Sequence, residues 1–178
     1  MKTIFSAILK GNLELKVGGF MPAIFADMII KSAVDVYNQT ITTYLPTPSK
    51  CHYTFNLRDM SKVIQGMLMC HNDDIIDKEY LVFLYLSETY RVFRDRLIDD
   101  KDRQKFSEMS HTIMEKYLSM DWELKDFQNV IFGDFESIER RYMKLGETQQ
   151  LIPCLDQLLS IYNSEGSPMN LVFFEDCI

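Results

Sequence analysis

Two prolines separated by one residue, Pro46 and Pro48, constrain the fold of this chain more than any other feature. Proline lacks a backbone N–H and pushes the residue before it towards an extended conformation, so a preceding helix must end here. After an extended segment, Asn56 can accept hydrogen bonds from a first helical turn, and Asp59 places a carboxylate at its positive end. The sequence therefore predicts a junction at residues 46–66, where one helix ends and another begins.

Arg58 lies in the first turn of the second helix that this junction predicts. A guanidinium beside the free backbone N–H groups of a helix start suits a phosphate, because both bring positive charge to the same anion. The competing interpretation is a solvated or ion-paired surface arginine, which is the commoner case. Arg58 is therefore a candidate phosphate-binding residue, with that alternative open.

Apolar residues recur every three or four positions through most of the chain, which predicts a mainly helical protein. Helices are predicted at residues 3–15, 21–45, 57–70, 78–98, 101–120, 137–145 and 148–163. Short connections between them predict antiparallel neighbours. The run at 129–135 is strand-like, because β-branched and aromatic residues surround Gly133. The predicted fold class is all-α, with one short β-like segment near 129–135.

The charge and the cysteines exclude several classes of function. A net charge of −7 without a lysine- and arginine-rich run argues against a nucleic-acid partner, since phosphate backbones require a basic surface. The four cysteines lie far apart without metal-ligand spacing, so reduced thiols in a cytoplasmic protein are expected rather than a zinc site. No uncharged apolar run reaches about 18 residues, so no membrane partner is expected.

A phosphate-cradling Walker A loop is missing from the sequence. The seven glycines never supply the spacing G-x-x-x-x-G-K-S/T. The chain alone is therefore expected not to be an enzyme, with no catalytic residue, no metal ligand and no cofactor. The histidines His52, His71 and His111 share no helix face and have no nucleophile beside them, so a hydrolase triad is unsupported.

Two other features bear on how the chain is organised. Arg94 and Arg96 are expected to form ion pairs at three- or four-residue spacing with carboxylates such as Asp99 and Asp100, rather than to contact a nucleotide. Residues 164–168, Ser-Glu-Gly-Ser-Pro, form the clearest linker. The chain ends inside an apolar run without a helix cap, so we expect it to be a piece of a longer polypeptide.

Four stretches in collinear order resemble the dynein heavy chains of axonemal type. They are SKCHYTFNLRDMSKVIQGML, YRVFRDRLIDDKDRQKF, NVIFGDFE and SPMNLVFFEDCI. In that family they belong to the lid of the third AAA+ module, which runs into the start of the fourth. The resemblance implies an AAA+ lid-type helical bundle. It also implies the end of a large subdomain at 1–19, the lid at 20–128, a connecting segment with a helical pair at 129–164, and a linker with the start of the next module at 165–178.

The same resemblance implies where nucleotide would bind. Arg58 matches the sensor-2 position, where the lid reaches back over the nucleotide of its own module. Leu171, Val172 and Phe173 match the segment that borders the adenine of the following module, although ordinary core packing is the competing interpretation. ATP or ADP with Mg²⁺ would be cofactors of the parent motor, whose core catalytic parts lie outside this chain.

The function implied is that of a nucleotide-sensing lid and connector in an ATP-driven motor that moves along microtubules. Its partners would be neighbouring AAA+ modules and, through the parent protein, the microtubule and other dynein subunits. The expected location is the cytoplasm and the axoneme of cilia or flagella. Two alternatives remain: a stand-alone all-α interaction module without nucleotide binding, and a small helical enzyme, which ranks last because no catalytic set converges.

Overall fold

The computed structural model describes residues 2–14, 22–75, 77–118, 130–136, 139–146 and 148–173. Contacts within the chain divide it into two compact units, Met1–Gln128 and Asn129–Ile178. The described residues are mainly helical, as predicted, with one short two-stranded sheet. Among them, no helix has the length and apolar character that crossing a bilayer requires.

The first unit is built from helices in its described residues. They are α1 (Lys2–Glu14), α2 (Pro22–Thr43), α3 (Leu57–Met69), a 3-10 turn (Asn72–Asp74), α4 (Lys78–Thr89), a π-helical segment (Tyr90–Arg94) and α5 (Asp100–Leu118). α2 packs against α1 and α5, and α3 packs against α4. These helices confirm the predicted ones, but residues 15, 21 and 119–120 of those predictions lie outside the described residues.

The helix predicted at 78–98 changes character before its end. The N–H of Asp95 donates to the backbone oxygen of Tyr90 at 3.0 Å, which is the wider spacing of a π-helical turn. One turn earlier, the Thr89 hydroxyl donates a hydrogen bond to the backbone oxygen of Tyr85 at 2.7 Å, a contact that often bends a helix. The helix ends at Arg94, and residues 95–98 are not helical.

Aromatic side chains pack where α2, the extended segment and α5 meet. Tyr44, directly after α2, lies 6.1 Å from the ring centre of Tyr53 and 6.2 Å from that of Phe106. Phe55 lies 5.8 Å from the ring centre of Phe93. Each aromatic pair contributes about 0.5–1.5 kcal/mol beyond the area that it buries. These contacts hold the extended segment between α2 and α3 against the bundle.

The second unit combines a small sheet with one helix in its described residues. They are β1 (Phe132–Gly133), β2 (Met143–Lys144) and α6 (Thr148–Glu165). The strands are antiparallel, with Phe132 opposite Lys144. β1 confirms the strand-like segment predicted near 129–135, of which residue 129 lies outside the described residues.

The helix predicted at 137–145 is wrong. Met143 and Lys144 form β2 instead, and the N–H of Leu145 donates to the backbone oxygen of Ile131 at 2.9 Å. Arg140 has a φ of 51°, in the left-handed region that a continuous α-helix does not contain. The chain turns there, and the backbone groups of the following residues pair across the sheet; residues 137–138 lie outside the described residues.

Candidate functional site

The start of α3 is fixed by a complete capping box. Asn56 has an extended backbone, with φ −136° and ψ 173°, and its Oδ1 accepts the N–H of Arg58 at 2.8 Å. In return, the N–H of Asn56 donates to Oδ2 of Asp59 at 2.9 Å. The cap predicted from the sequence is confirmed, and such a cap contributes about 1 kcal/mol to helix stability.

Arg58 is exposed at the positive end of α3. Within the described residues, its guanidinium has no hydrogen-bond or ion-pair partner. The N–H groups of Arg58 and Asp59 are not free, because they donate to the side-chain and backbone oxygens of Asn56 at 2.8 and 3.0 Å. This corrects the expectation of free donors at Arg58 and Asp59, and leaves the guanidinium and the helix dipole to attract an anion.

One face of α3 packs into the first unit. Met60, Val63, Ile64 and Met67 are buried there. Each large apolar side chain removed from water contributes about 1.5–3 kcal/mol, so this face anchors α3 firmly. Arg58 therefore projects from a helix whose position is determined by packing along its length.

Gly66 lets α4 approach α3 closely. A Cβ atom at this position would overlap the carboxylate of Glu88 and lie 2.9 Å from its Cγ. Glu88 is fully buried, and its Oε2 accepts hydrogen bonds from Nε and Nη2 of Arg91 at 3.0 and 2.5 Å. Such donors are needed because removing a carboxylate from water is unfavourable unless it is paired. Sequence reasoning missed this contact, although a glycine inside a helical pattern signals a packing reason.

Arg94 and Arg96 pair with carboxylates, as expected, but the helical spacing and the examples Asp99 and Asp100 are wrong. Arg94 Nη1 lies 3.8 Å from Oδ1 of Asp95, and Arg96 Nη1 lies 3.2 Å from Oδ2 of Asp59. The physical reason is that residues 95–98 are not helical, so the three- and four-residue spacing of a helix face does not apply. Arg96 instead reaches the start of α3.

A second set of polar contacts joins the extended segment to α5. Lys50 Nζ lies 2.5 Å from carboxylate oxygens of both Asp99 and Asp102. The Tyr53 hydroxyl donates to Oδ2 of Asp102 at 2.9 Å. The hydrogen bond from Lys50 holds the pKa of Asp102 below its usual value, and the same bond raises the pKa of Lys50. Burial raises the pKa of the nearby Tyr44 hydroxyl to about 12, so that phenol stays neutral.

Leu171, Val172 and Phe173 lie in the second unit, at the end of its described residues. Leu171 and Val172 are exposed, and Phe173 is half-buried. Leu171 and Phe173 line a mainly apolar groove of about 590 Å³ together with Leu158 and Tyr162 of α6. Apolar side chains in a groove suit a flat ring or further packing equally well. Their role beside a nucleotide stays a prediction.

The cysteines differ in their accessibility. Cys51 is exposed, Cys154 is half-buried and Cys70 is buried, and all three are free thiols. Burial raises the pKa of the Cys70 thiol to about 11. Across the described ranges, no group of three or more His, Cys, Asp or Glu side chains is placed to hold a metal ion.

In a comparison with known protein families, residues 29–128 match the AAA+ lid domain. The matched region contains the junction, the capped start of α3 and the whole of α5. Arg58 and Arg96 therefore both lie within the matched family domain.

Individual relatives are axonemal dynein heavy chains. Human dynein axonemal heavy chain 6 is 36% identical over 188 residues, which cover 100% of this chain and 4% of that protein. Human dynein axonemal heavy chain 12 is 32% identical and mouse dynein axonemal heavy chain 3 is 36% identical, covering 98% and 86% of this chain. The chain spans only 4–6% of the length of these relatives.

Proposed function

This chain belongs to the AAA+ lid domain family and is related to the axonemal dynein heavy chains, and from this premise we propose that it is the lid of the third AAA+ module of such a heavy chain. The module number rests on the resemblance of the four collinear stretches. In this proposal, residues 1–19 end the large subdomain, 20–128 form the lid, 129–164 connect the modules, and 165–178 begin the fourth.

Arg58 is the proposed nucleotide-sensing residue. The observation that carries the proposal is an exposed guanidinium, without a partner among the described residues, at the positive end of a capped and well-packed helix. Such a guanidinium forms bidentate hydrogen bonds to a phosphate without first breaking an ion pair. Bound nucleotide would then hold α3 in place, and the rest of the lid would follow because α3 is packed into it.

The parent heavy chain is proposed to be an ATPase that drives microtubule-based movement in the axoneme. ATP or ADP with Mg²⁺ would bind to its modules, and its partners would be the microtubule and other dynein subunits. This chain would supply no catalytic residue, since it lacks the phosphate-cradling loop. Leu171, Val172 and Phe173 would border the nucleotide of the following module.

Replacing Arg58 in the full heavy chain tests the sensing role. Arg58→Ala should weaken nucleotide binding at this module by about tenfold to a hundredfold, because hydrogen bonds to charged groups contribute about 1.5–3 kcal/mol. The measurement is the affinity for a fluorescent ATP analogue, with the nucleotide sites of the other modules disabled. Arg58→Lys should retain part of the affinity, because the charge remains while the planar fork is lost.

Lys101→Ala provides the matched control. Lys101 is an exposed cation at the start of α5, and within the described residues it forms no hydrogen bond or ion pair with the cap of α3, so its removal should leave nucleotide affinity unchanged. Microtubule gliding speed is the second readout for both variants. Wild-type nucleotide affinity together with wild-type gliding in Arg58→Ala would eliminate the sensing role.

A further inference from the structure

The cap of α3 is held from outside the helix through the carboxylate of Asp59. Asp59 is buried, and its Oδ2 accepts the N–H of Asn56 at 2.9 Å. The same oxygen lies 3.2 Å from Nη1 of Arg96. Because a buried carboxylate is unfavourable without a cationic or donor partner, Arg96 supports the capping box itself.

Arg96 also fixes the extended segment that leads into α3. Its Nη2 donates to the backbone oxygens of His52 and Thr54 at 3.3 and 3.1 Å. Its guanidinium lies 4.7 Å from the ring centre of Phe55. One planar guanidinium therefore contacts a carboxylate, two carbonyl groups and an aromatic ring, which its rigid fork of donors makes feasible.

The other cation near Asp59 does not duplicate these contacts. Lys62 Nζ lies 3.4 Å from Oδ1, the oxygen that does not receive the N–H of Asn56. Its side chain is 52% exposed, so solvent screens the pair. An ammonium on a flexible stem also cannot present the fork that binds the two carbonyl groups. The side-chain contacts that join Asp59 of the cap to the carbonyl groups of the extended segment are thus made by Arg96.

We propose that Arg96 is a positioning residue for Arg58. By holding Asp59 and the carbonyl groups of His52 and Thr54, Arg96 fixes the first turn of α3 against the end of the π-helical segment. Arg58 is the neighbour of Asp59 in that turn, so any displacement of the turn carries its guanidinium along. The consequence for nucleotide binding rests on the proposed sensing role of Arg58, whereas the positioning rests on the contacts alone.

Amide hydrogen exchange in the 178-residue chain tests the positioning. Arg96→Gln should speed exchange of the N–H groups of Asn56 and Arg58 by about five- to tenfold, the effect of losing a helix cap. Asp59→Asn, which neutralises the carboxylate, should accelerate the same amides. The control is Arg141→Gln, since Arg141 has a similar exposure, 43% against 34%, and pairs with Glu139 in the second unit instead. It should leave these amides unchanged.

Nucleotide affinity in the full heavy chain tests the consequence. Arg96→Gln should weaken binding at this module, and the double variant Arg58→Ala/Arg96→Gln should bind no more weakly than Arg58→Ala alone. Additive losses would overturn the positioning role, because Arg96 would then act without Arg58. Unchanged amide exchange in Arg96→Gln would overturn it too. Faster exchange, combined with wild-type affinity in Arg58→Ala, would support positioning and refute only the sensing role.

Discussion

Gly66→Ala should destabilise the first unit, although the same change stabilises an ordinary helix. Alanine is favoured over glycine in a helix interior by about 1 kcal/mol. At residue 66, however, the added Cβ would overlap the carboxylate of Glu88 and lie 2.9 Å from its Cγ. Glu88 is fully buried, so its side chain has no open space into which it can withdraw.

The size of the loss follows from two unfavourable effects and one favourable effect. Forcing extra volume into a packed site costs about 1–3 kcal/mol. Moving the Glu88 carboxylate also weakens the charged hydrogen bonds that it accepts from Arg91. Such bonds contribute about 1.5–3 kcal/mol to stability. The contribution is smaller here because the Arg91 side chain is half exposed and solvent screens the pair. The helix gain of about 1 kcal/mol roughly cancels the discounted hydrogen-bond loss, so the net loss is about 1–3 kcal/mol, the packing cost.

Urea unfolding of the 178-residue chain, followed by its helical circular dichroism, measures this loss as a lower midpoint. Gly11→Ala in α1 is the control, because no atom lies within 4 Å of a Cβ built there; it should raise stability by up to about 1 kcal/mol. In a Glu88→Ala background, the loss from Gly66→Ala should disappear with the carboxylate. An unchanged or raised midpoint for Gly66→Ala alone would refute the reasoning.

Acid stability and thiol accessibility provide two further predictions. Lys50 lowers the pKa of Asp102 from its usual 3.8, so the stability that this carboxylate contributes is present above that value and lost as the pH falls through the folded pKa. Asp102→Asn should therefore lower the urea midpoint at neutral pH, and the difference between variant and wild-type midpoints should shrink in acid. The control is Asp100→Asn, which should change the midpoint little at either pH because the Asp100 side chain is 96% exposed. Cys51 should react with a thiol reagent in the folded chain and Cys70 only after unfolding, since burial raises the pKa of the Cys70 thiol to about 11. Peptide mapping of the labelled chain distinguishes the two sites, and rapid labelling of native Cys70 would contradict its burial.

The helices of the first unit and the cap of α3 could be predicted because their causes are local. Apolar residues repeat within each helix, the prolines end α2, and Asn56 and Asp59 act within one turn of α3. The position of Arg58 in the first turn of α3 could be predicted for the same reason, since adjacent residues set it relative to the cap. Local rules were sufficient wherever hydrogen-bond partners are close in sequence.

The errors occurred where the deciding partner is distant or the backbone is unusual. The helix predicted at 137–145 failed because β2 pairs with β1 and Arg140 adopts a left-handed φ. Arg96 was expected to pair along its own segment, but residues 95–98 are not helical and Arg96 pairs with Asp59 instead. Neither the β1–β2 pairing nor the Arg96–Asp59 contact produces a periodic pattern in the sequence, because each depends on which surfaces meet after folding.

The two contacts that the sequence did not reveal hold opposite ends of α3. Near its start, Arg96 supports Asp59 from the residues that follow the π-helical segment; in its second half, Gly66 packs on Glu88 of α4. A helix held at one point can pivot about it, whereas two separated contacts oppose such a rotation. We therefore predict that a displacement of α3 at Arg58 shifts both α4 and the non-helical residues that follow its π-helical end.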